Sequence, residues 1–416
     1  GSGGVPVVSD NSHIQPDGVK APPAGQSVCA PNHPKIMITG EVSSANAKSY
    51  VILPFEVAAD TVTGTPTGRV EVGYRWDEKA GPPVNQFTAT TVELGLWDNR
   101  GYRSSVGFRG WSGSRQGRLQ ANQTPIFVQT DTAERGYVPG VVQAGVWYAE
   151  LGVAAVSPQG ATYRVEIECK AATGAAVASD PVDKTHVANA AAGWYAGDFH
   201  VHGYHSNSRA PEAAEFISQV RDAKLDFVMV TDYITTQHHR ELGQMQRDNL
   251  DLIIWPGREV ITYFGHMNTL GETPTTKEYR HGFENVDIGR MQRESKADGA
   301  LFQVNHPTIF PEPAFTAFCR GCPFNLANAI DWRLVDTIEV LTSAALVKGS
   351  EVGLSQVPGT IENPFLKTAI DYWEDRLKAG FKITAVAGSD SKGLDPVAER
   401  ARLGYGTSAT MVYADN

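Results

Sequence analysis

The histidines of this chain are unevenly spread: of 11, three precede residue 200 and eight fall between His200 and His306. The sharpest cluster is His200-Val201-His202. On a strand, residues i and i+2 face the same way, so two imidazoles there can hold one ion without bending the chain. Other potential ligands follow apolar runs. Glu259 comes just after Pro256-Gly257, His266 sits in Phe264-Gly265-His266-Met267-Asn268, His306 in Val304-Asn305-His306-Pro307, and Asp390 in Gly388-Ser389-Asp390. A lone strand-end Asp often caps a helix, and a lone buried His is often ordinary packing. Six such residues, each at or just beyond the end of an apolar run, point instead to a site for one or two divalent cations (Zn, Mn or Fe), with Glu259 able to bridge two ions.

The elements that must position these residues alternate in type. Apolar runs at Phe227 to Thr231, Leu252 to Trp255, Ala300 to Val304, Thr337 to Leu341 and Ile383 to Ala387 read as strands. In Pro211 to Lys224 the residues Ala213, Ala214, Phe216, Ile217, Val220 and Ala223 share one helical face, and Pro211 suits a first helical position. Pro364 to Ala379 repeats that spacing, with Gly380 as a stop. Strand and helix in alternation predict a parallel sheet, open or closed into a barrel, whose strand ends gather distant residues at one mouth.

From about residue 34 to 170 the period changes. Tyr50 to Val57, Arg69 to Trp76, Thr91 to Trp97, Ile126 to Gln129, Gly145 to Val153 and Ala161 to Ile167 are strand-like runs separated by turn residues, which predicts an antiparallel β-sandwich. The expected organisation is therefore a poorly ordered leader over 1–27, a β-sandwich module over 28–190 and an α/β barrel over 194–416. The sandwich would serve packing or homodimer formation. Trp97, Trp111 and Tyr102, where exposed, could bind carbohydrate or lipid, although aromatics in a sandwich usually pack in its core.

At 41% hydrophobic and 20% charged residues the composition is that of a globular protein, and no apolar run approaches the roughly 18 residues of a spanning helix. A net charge of -10 argues against nucleic acid as a partner, because phosphate affinity comes mostly from clustered Lys and Arg. Cys29 and Cys169 flank the N-terminal half and read either as free thiols or as a disulfide, the latter implying a secreted or periplasmic protein. Cys319 and Cys322 form a single CxxC without the second pair of a structural zinc site, hence a local disulfide or two thiols.

The segments Gly197-Asp198-Phe199-His200-Val201-His202, Val230-Thr231-Asp232, Pro256-Gly257-Arg258-Glu259-Val260, Gly265-His266-Met267-Asn268, Asn305-His306-Pro307 and Gly388-Ser389-Asp390 resemble, in order and spacing, the motifs of the PHP (polymerase and histidinol phosphatase) metallohydrolases. They are most similar to the carbaryl-hydrolase-like (CehA/McbA) branch, and Arg135-Gly136-Tyr137-Val138-Pro139-Gly140 resembles the β module that precedes the domain in that branch. The resemblance covers about residues 194 to 413. It implies a distorted, TIM-like (β/α) barrel, one ion held by His200, His202, Glu259 and Asp390, and a second by Glu259, His266 and His306. Relatives with a third ion carry His where this chain has Tyr233 and Lys392. An ammonium there would repel a cation, so at most two ions are expected.

The resemblance and the ligand set together predict a metal-dependent hydrolase acting on a small-molecule or ester-containing substrate through metal-activated water. Tyr233, Lys392 or His205 would stabilise developing charge or protonate the leaving group, and Arg258, Arg209 and Lys392 could neutralise phosphate. His238, His239 and His281 read as solvated. A phosphoesterase comes first, with phosphodiesters ahead of dianionic monoesters because the third ion is lost. A carbamate, carboxylic ester or amide hydrolase is the alternative, and a non-catalytic metal-stabilised binding module the rival.

Overall fold

The computed structural model of the chain describes residues 7–9, 27–28, 35–59, 68–113, 124–206, 210–275, 278–352, 354, 356–394 and 403–415. The chain divides into two compact units, Gly1–Ala178 with Arg280–Asp287 and Ala314–Arg320, and Ser179–Tyr279 with Ile288–Pro313 and Gly321–Asn416.

The first unit is built of strands β1 (Val7–Ser9), β2 (Ser27–Val28), β3 (Lys35–Val42), β4 (Ser49–Val57), β5 (Gly68–Glu78), β6 (Thr91–Trp97), β7 (Phe108–Gly113), β8 (Ile126–Gln129), β9 (Gly145–Ala155) and β10 (Ala161–Ala171). They form two five-stranded sheets, ordered β1-β3-β10-β5-β8 and β2-β4-β9-β6-β7. All neighbours run antiparallel except β1 with β3 and β2 with β4. Strand β10 shows why: Tyr163, Val165 and Ile167 are buried while Thr162 between Ala161 and Tyr163 is exposed, the period of a strand with one face inward. One buried cluster draws on both sheets, including Ile38, Val72, Val165, Leu53, Leu96 and Leu151. Trp97, Trp111 and Tyr102 are buried in this unit, so the exposed carbohydrate- or lipid-binding role does not apply to them. Most of the expected leader lies outside the described residues, but β1 within it adds an edge strand beside β3.

The second unit carries β11 (Gly193–Val201), α1 (Ala213–Asp222), β12 (Phe227–Val230), α2 (Leu242–Asp248), β13 (Ile253–Thr262), β14 (Gly265–Leu270), α3 (Ile288–Ala297), β15 (Leu301–Val304), β16 (Thr337–Thr342), β17 (Leu346–Lys348), β18 (Thr360–Glu362), α5 (Leu366–Lys378), β19 (Thr384–Gly388) and β20 (Thr410–Ala414); the short α4 (Thr316–Cys319) belongs to the first unit. Eight strands make one sheet, ordered β19-β16-β15-β14-β13-β12-β11-β20. Its ends nearly meet: Asp390 N–H donates to the His200 carbonyl at 2.8 Å, and His202 N–H to that of Ser391 at 2.9 Å.

The sheet is mixed, where strand–helix alternation predicts a parallel one. Only Tyr263 and Phe264 separate β13 from β14, too short a link for a crossover, so the two must pair antiparallel. Strand β15 then runs antiparallel to β14, and β20 antiparallel to β11. The parallel neighbours are β11–β12, β12–β13, β15–β16 and β16–β19. Helix α1 buries Phe216, Ile217 and Val220 against Val201, Val228 and Ile254 of the sheet. Gly197 is required beneath Phe227: a Cβ there would lie 1.9 Å from the ring. Among the described residues no helix is long and apolar enough to cross a membrane. Cys169, Cys319 and Cys322 are all disulfide-bonded, which decides against free thiols for them; Cys29 lies outside the described residues.

Candidate metal centre

All six residues singled out as ligands are brought together at one end of the eight-stranded sheet. His200 lies in β11 and His202 just past it, Glu259 in β13, His266 in β14, His306 just after β15 and Asp390 just after β19. Ligand atoms of His200, His202, Glu259 and Asp390 all lie within 4.8 Å of one another, a group that could hold a metal ion. Glu259 divides its oxygens. Oε2 stands 3.2 Å from His200 Nε2 and 2.9 Å from His202 Nε2. Oε1 stands 3.5 Å from both His266 Nδ1 and His306 Nε2. Asp390 behaves alike, with Oδ1 3.1 and 2.9 Å from His200 and His202 and Oδ2 3.9 Å from His306.

The tautomers of the two first imidazoles follow from their outer partners. Glu339 Oε2 accepts from His200 Nδ1 at 2.7 Å, so the lone pair of His200 is on Nε2, directed into the cluster. Asp232, acceptor only, takes the Ser206 hydroxyl proton at 2.7 Å. Ser206 Oγ must then accept from His202 Nδ1 at 2.8 Å, which leaves His202 Nε2 as the second inward donor atom. His200 Nε2 is buried and makes no hydrogen bond despite its two carboxylate neighbours. Two inward imidazole nitrogens and two carboxylates within reach form a hard and borderline donor set of the kind zinc, manganese or iron accept, so the residues present fit a divalent ion.

Hydrogen bonds from surrounding residues tie this set to the sheet. Glu339 Oε1 also accepts from His306 N–H at 3.2 Å and from Thr342 Oγ1 at 2.5 Å. Asn305 donates to Glu259 Oε1 at 3.3 Å and to Asn268 Oδ1 at 2.7 Å, and Gln303 donates to Asn305. Asp198, fully buried, accepts from the backbone N–H of His200, Ser389 and Gly406, tying β11 to the loop after β19. Gly388 is required by close approach, since a Cβ there would lie 2.6 Å from His200 Cβ and 2.7 Å from Glu339 Oε2. Asp390 and His306 have positive φ, +53° and +24°, backbone that costs free energy and recurs at functional sites.

Proton affinities in the metal-free cluster express the same attraction. Burial works to lower the His202 imidazole, but Tyr233, Asp390 and Glu259 outweigh it and raise its pKa to about 9. His200 lies well above its ordinary value for the same reason, with Asp390, Glu339 and Glu259 overcoming burial. Glu259 and Asp390 lie well below the usual carboxylate range, burial being outweighed first by His200. Protons thus occupy positions for which a cation would compete.

The second pair, His266 and His306, is joined by Cys322, whose Sγ lies 3.8 Å from His306 Nδ1. A disulfide-bonded sulfur is not a thiolate ligand, so Glu259 Oε1 is the better third atom for that pair. Lys392 and Tyr233 flank the cluster: the Tyr233 ring stacks on His202 with centroids 4.1 Å apart, and Lys392 Nζ lies 5.3 Å from the Tyr233 centroid. Asp390 and Lys392 line a cavity of about 270 Å³ together with Phe310, Ser343 and Val352.

Three expectations from the sequence are corrected by the structure. Arg258 is buried, with Nε 3.5 Å from Glu272 Oε2 and Nη1 3.5 Å from the Ile234 carbonyl, and it faces the interior rather than a substrate. His238 and His239 are buried, not solvated, because both direct Nε2 at the Gly257 carbonyl, at 2.6 and 3.1 Å. His205 turns away from the cluster: its Nε2 meets Glu241 at 2.8 Å in a separate cavity. His281 is half-buried in the first unit, and Arg209 lies outside the described residues. Glu339 stands outside the residues that the sequence singles out. The available signal for Glu339 was a single carboxylate in an apolar run, Thr337-Ile338-Glu339-Val340-Leu341, where burial demands a partner.

No family model matches the chain, and no curated protein matches it. Among solved structures it is similar to a protein named as a metal-dependent phosphoesterase from Bifidobacterium adolescentis, at 11% identity and a TM-score of 0.30, covering 50% of this chain and 92% of that one. It is also similar to a family two carbohydrate esterase from Cellvibrio japonicus, at 9% identity and a TM-score of 0.20, covering 89% and 93% of the two chains. Likeness this distant carries no argument about activity.

Proposed function

We propose that the protein is a metal-dependent hydrolase of the PHP type, of the carbaryl-hydrolase-like branch, that cleaves phosphoesters and prefers phosphodiesters to monoesters. The observation that carries this reading is Glu259, whose two oxygens serve two separate imidazole pairs, the disposition of a carboxylate shared between two cations. A divalent ion bound there supplies Lewis acidity and makes hydroxide accessible near neutral pH. His200, His202, Glu259 and Asp390 would hold one ion, and Glu259, His266 and His306 another.

The remaining chemistry belongs to the chain. Lys392, on the cavity that Asp390 also lines, pairs with a non-bridging oxygen of the substrate and carries the proton at Nζ that the leaving oxygen takes. One ammonium matches the single charge of a phosphodiester better than the two of a monoester. Tyr233 fixes the His202 ring by stacking and holds Lys392 as a cation–π partner. The disulfide-bonded cysteines support an oxidising compartment, secreted or periplasmic.

The test is turnover by the purified protein, with and without added Mn²⁺ or Zn²⁺, of a bis-aryl phosphate, an aryl phosphate and an aryl carbamate. Metal-dependent turnover with the bis-aryl phosphate fastest is expected. Turnover of the carbamate alone would replace the phosphoester reading, and turnover of none of them would remove it.

A further inference from the structure

A second cavity of about 400 Å³ lies in the same unit, apart from the metal cluster. Phe216, Val230, Leu242 and Met245 supply an apolar wall. Four carboxylates, Glu212, Asp232, Glu241 and Asp248, line it, Glu241 being paired with His205 Nε2 at 2.8 Å, and among the described residues that line it there is no Lys or Arg.

Two buried acceptors face each other in this cavity without a donor. Asp232 is 1% exposed; Oδ1 accepts from Gly203 N–H at 2.6 Å and from Ser206, while Oδ2 has no hydrogen-bond partner. His238 is 3% exposed, and its Nε2 lies 2.6 Å from the Gly257 carbonyl, so Nε2 carries the proton. That leaves Nδ1, also without a hydrogen-bond partner, 3.7 Å from Asp232 Oδ2. Burial lowers the His238 pKa, which agrees with a neutral ring. A carboxylate oxygen and an imidazole lone pair left unsatisfied at this depth are costly, and a cationic donor between them would satisfy both.

We propose that this cavity binds a primary alkylammonium group, the ammonium donating to Asp232 Oδ2 and His238 Nδ1 and the alkyl chain lying on Phe216, Leu242 and Met245. A volume of this size with an apolar wall suits an organic ligand rather than a bare ion, and charge-assisted hydrogen bonds to a buried carboxylate supply its selectivity. The assignment does not depend on the hydrolase reading.

Calorimetric titration of the whole 416-residue chain with n-hexylammonium, n-hexanol and hexanoate tests it. One equivalent of n-hexylammonium should bind, at least tenfold more tightly than n-hexanol, with no binding of hexanoate. Asp232→Asn should weaken n-hexylammonium at least tenfold. Because that change also disturbs Gly203 and Ser206, Met245→Trp serves as a second variant that fills the cavity and leaves every polar contact in place, and it too should abolish binding at an unaltered Tm. Equal affinity for hexanol, or binding indifferent to both variants, would overturn the proposal. So would a Zn²⁺ or Mn²⁺ equivalent that persists in His200→Ala and is lost in Asp232→Asn, which would make the cavity a metal position.

Discussion

Replacing Glu339 by Gln probes the centre most directly, because it preserves shape and removes only charge and acceptor capacity. The carboxylate uses Oε2 for His200 Nδ1 at 2.7 Å and Oε1 for His306 N–H and Thr342. An amide cannot serve all three. With its oxygen toward His306, its NH₂ meets His200 Nδ1 and forces the proton onto Nε2, which disables the inward lone pair. With its oxygen toward His200, its NH₂ opposes the His306 N–H. Either way one hydrogen bond to a charged group is lost, roughly 1.5–3 kcal/mol, in line with the roughly 10–100-fold loss of metal affinity found for such outer partners. Competition against a fluorescent Zn²⁺ chelator measures it, with circular dichroism confirming the fold. A folded Glu339→Gln variant whose metal affinity stays within about twofold of the parent would refute the assigned tautomer.

Four further outcomes are expected. Since His202 is raised from 6.5 to about 9, the stability it gives the metal-free protein is complete below pH 6.5 and disappears as pH climbs through 9; the Tm of chelator-stripped protein should fall over that window while the Tm gain on adding Zn²⁺ grows, and a flat Tm would contradict the proton–metal competition. Arg258→Ala, leaving buried Glu272 with only His239 Nε2 at 3.8 Å beside it, should cost about 3–5 kcal/mol in chemical denaturation; an unchanged midpoint with a raised KM would restore Arg258 to substrate binding. Gly388→Ala should weaken metal binding because its methyl would crowd both His200 and Glu339 and disturb their hydrogen bond, whereas Gly380→Ala, with nothing within 4 Å of its new Cβ, should leave metal affinity as it was. Lys392→Met should lower kcat/KM for a bis-aryl phosphate at least tenfold with metal content unaltered, and equal rates would take Lys392 out of the reaction.

Much of the scaffold was legible because its signals are local. Thr91–Trp97 and Ile126–Gln129 coincide with the apolar runs that announce them, and α1 and α5 fall inside the segments whose spacing is helical. Pairing direction was less accessible. The turn at Tyr263-Phe264 reverses the chain within two residues, so β14, which carries His266, is absent from the apolar runs that read as strands. Burial of charged groups was least accessible: Arg258 and His238 resemble surface residues until the Gly257 carbonyl and Glu272 are found beside them.

The amino-acid sequence by itself determined which side chains could bind a cation and that His200 and His202 share one face, because the two-residue repeat of a strand orients them without reference to anything else. Only the tertiary structure decided which nitrogen of each imidazole faces inward and which oxygen of Glu259 meets which pair. Those properties depend on Glu339, Ser206 and Asp232, residues up to 139 positions away from the imidazoles they orient, and a hydrogen bond is set by distance in space rather than along the chain.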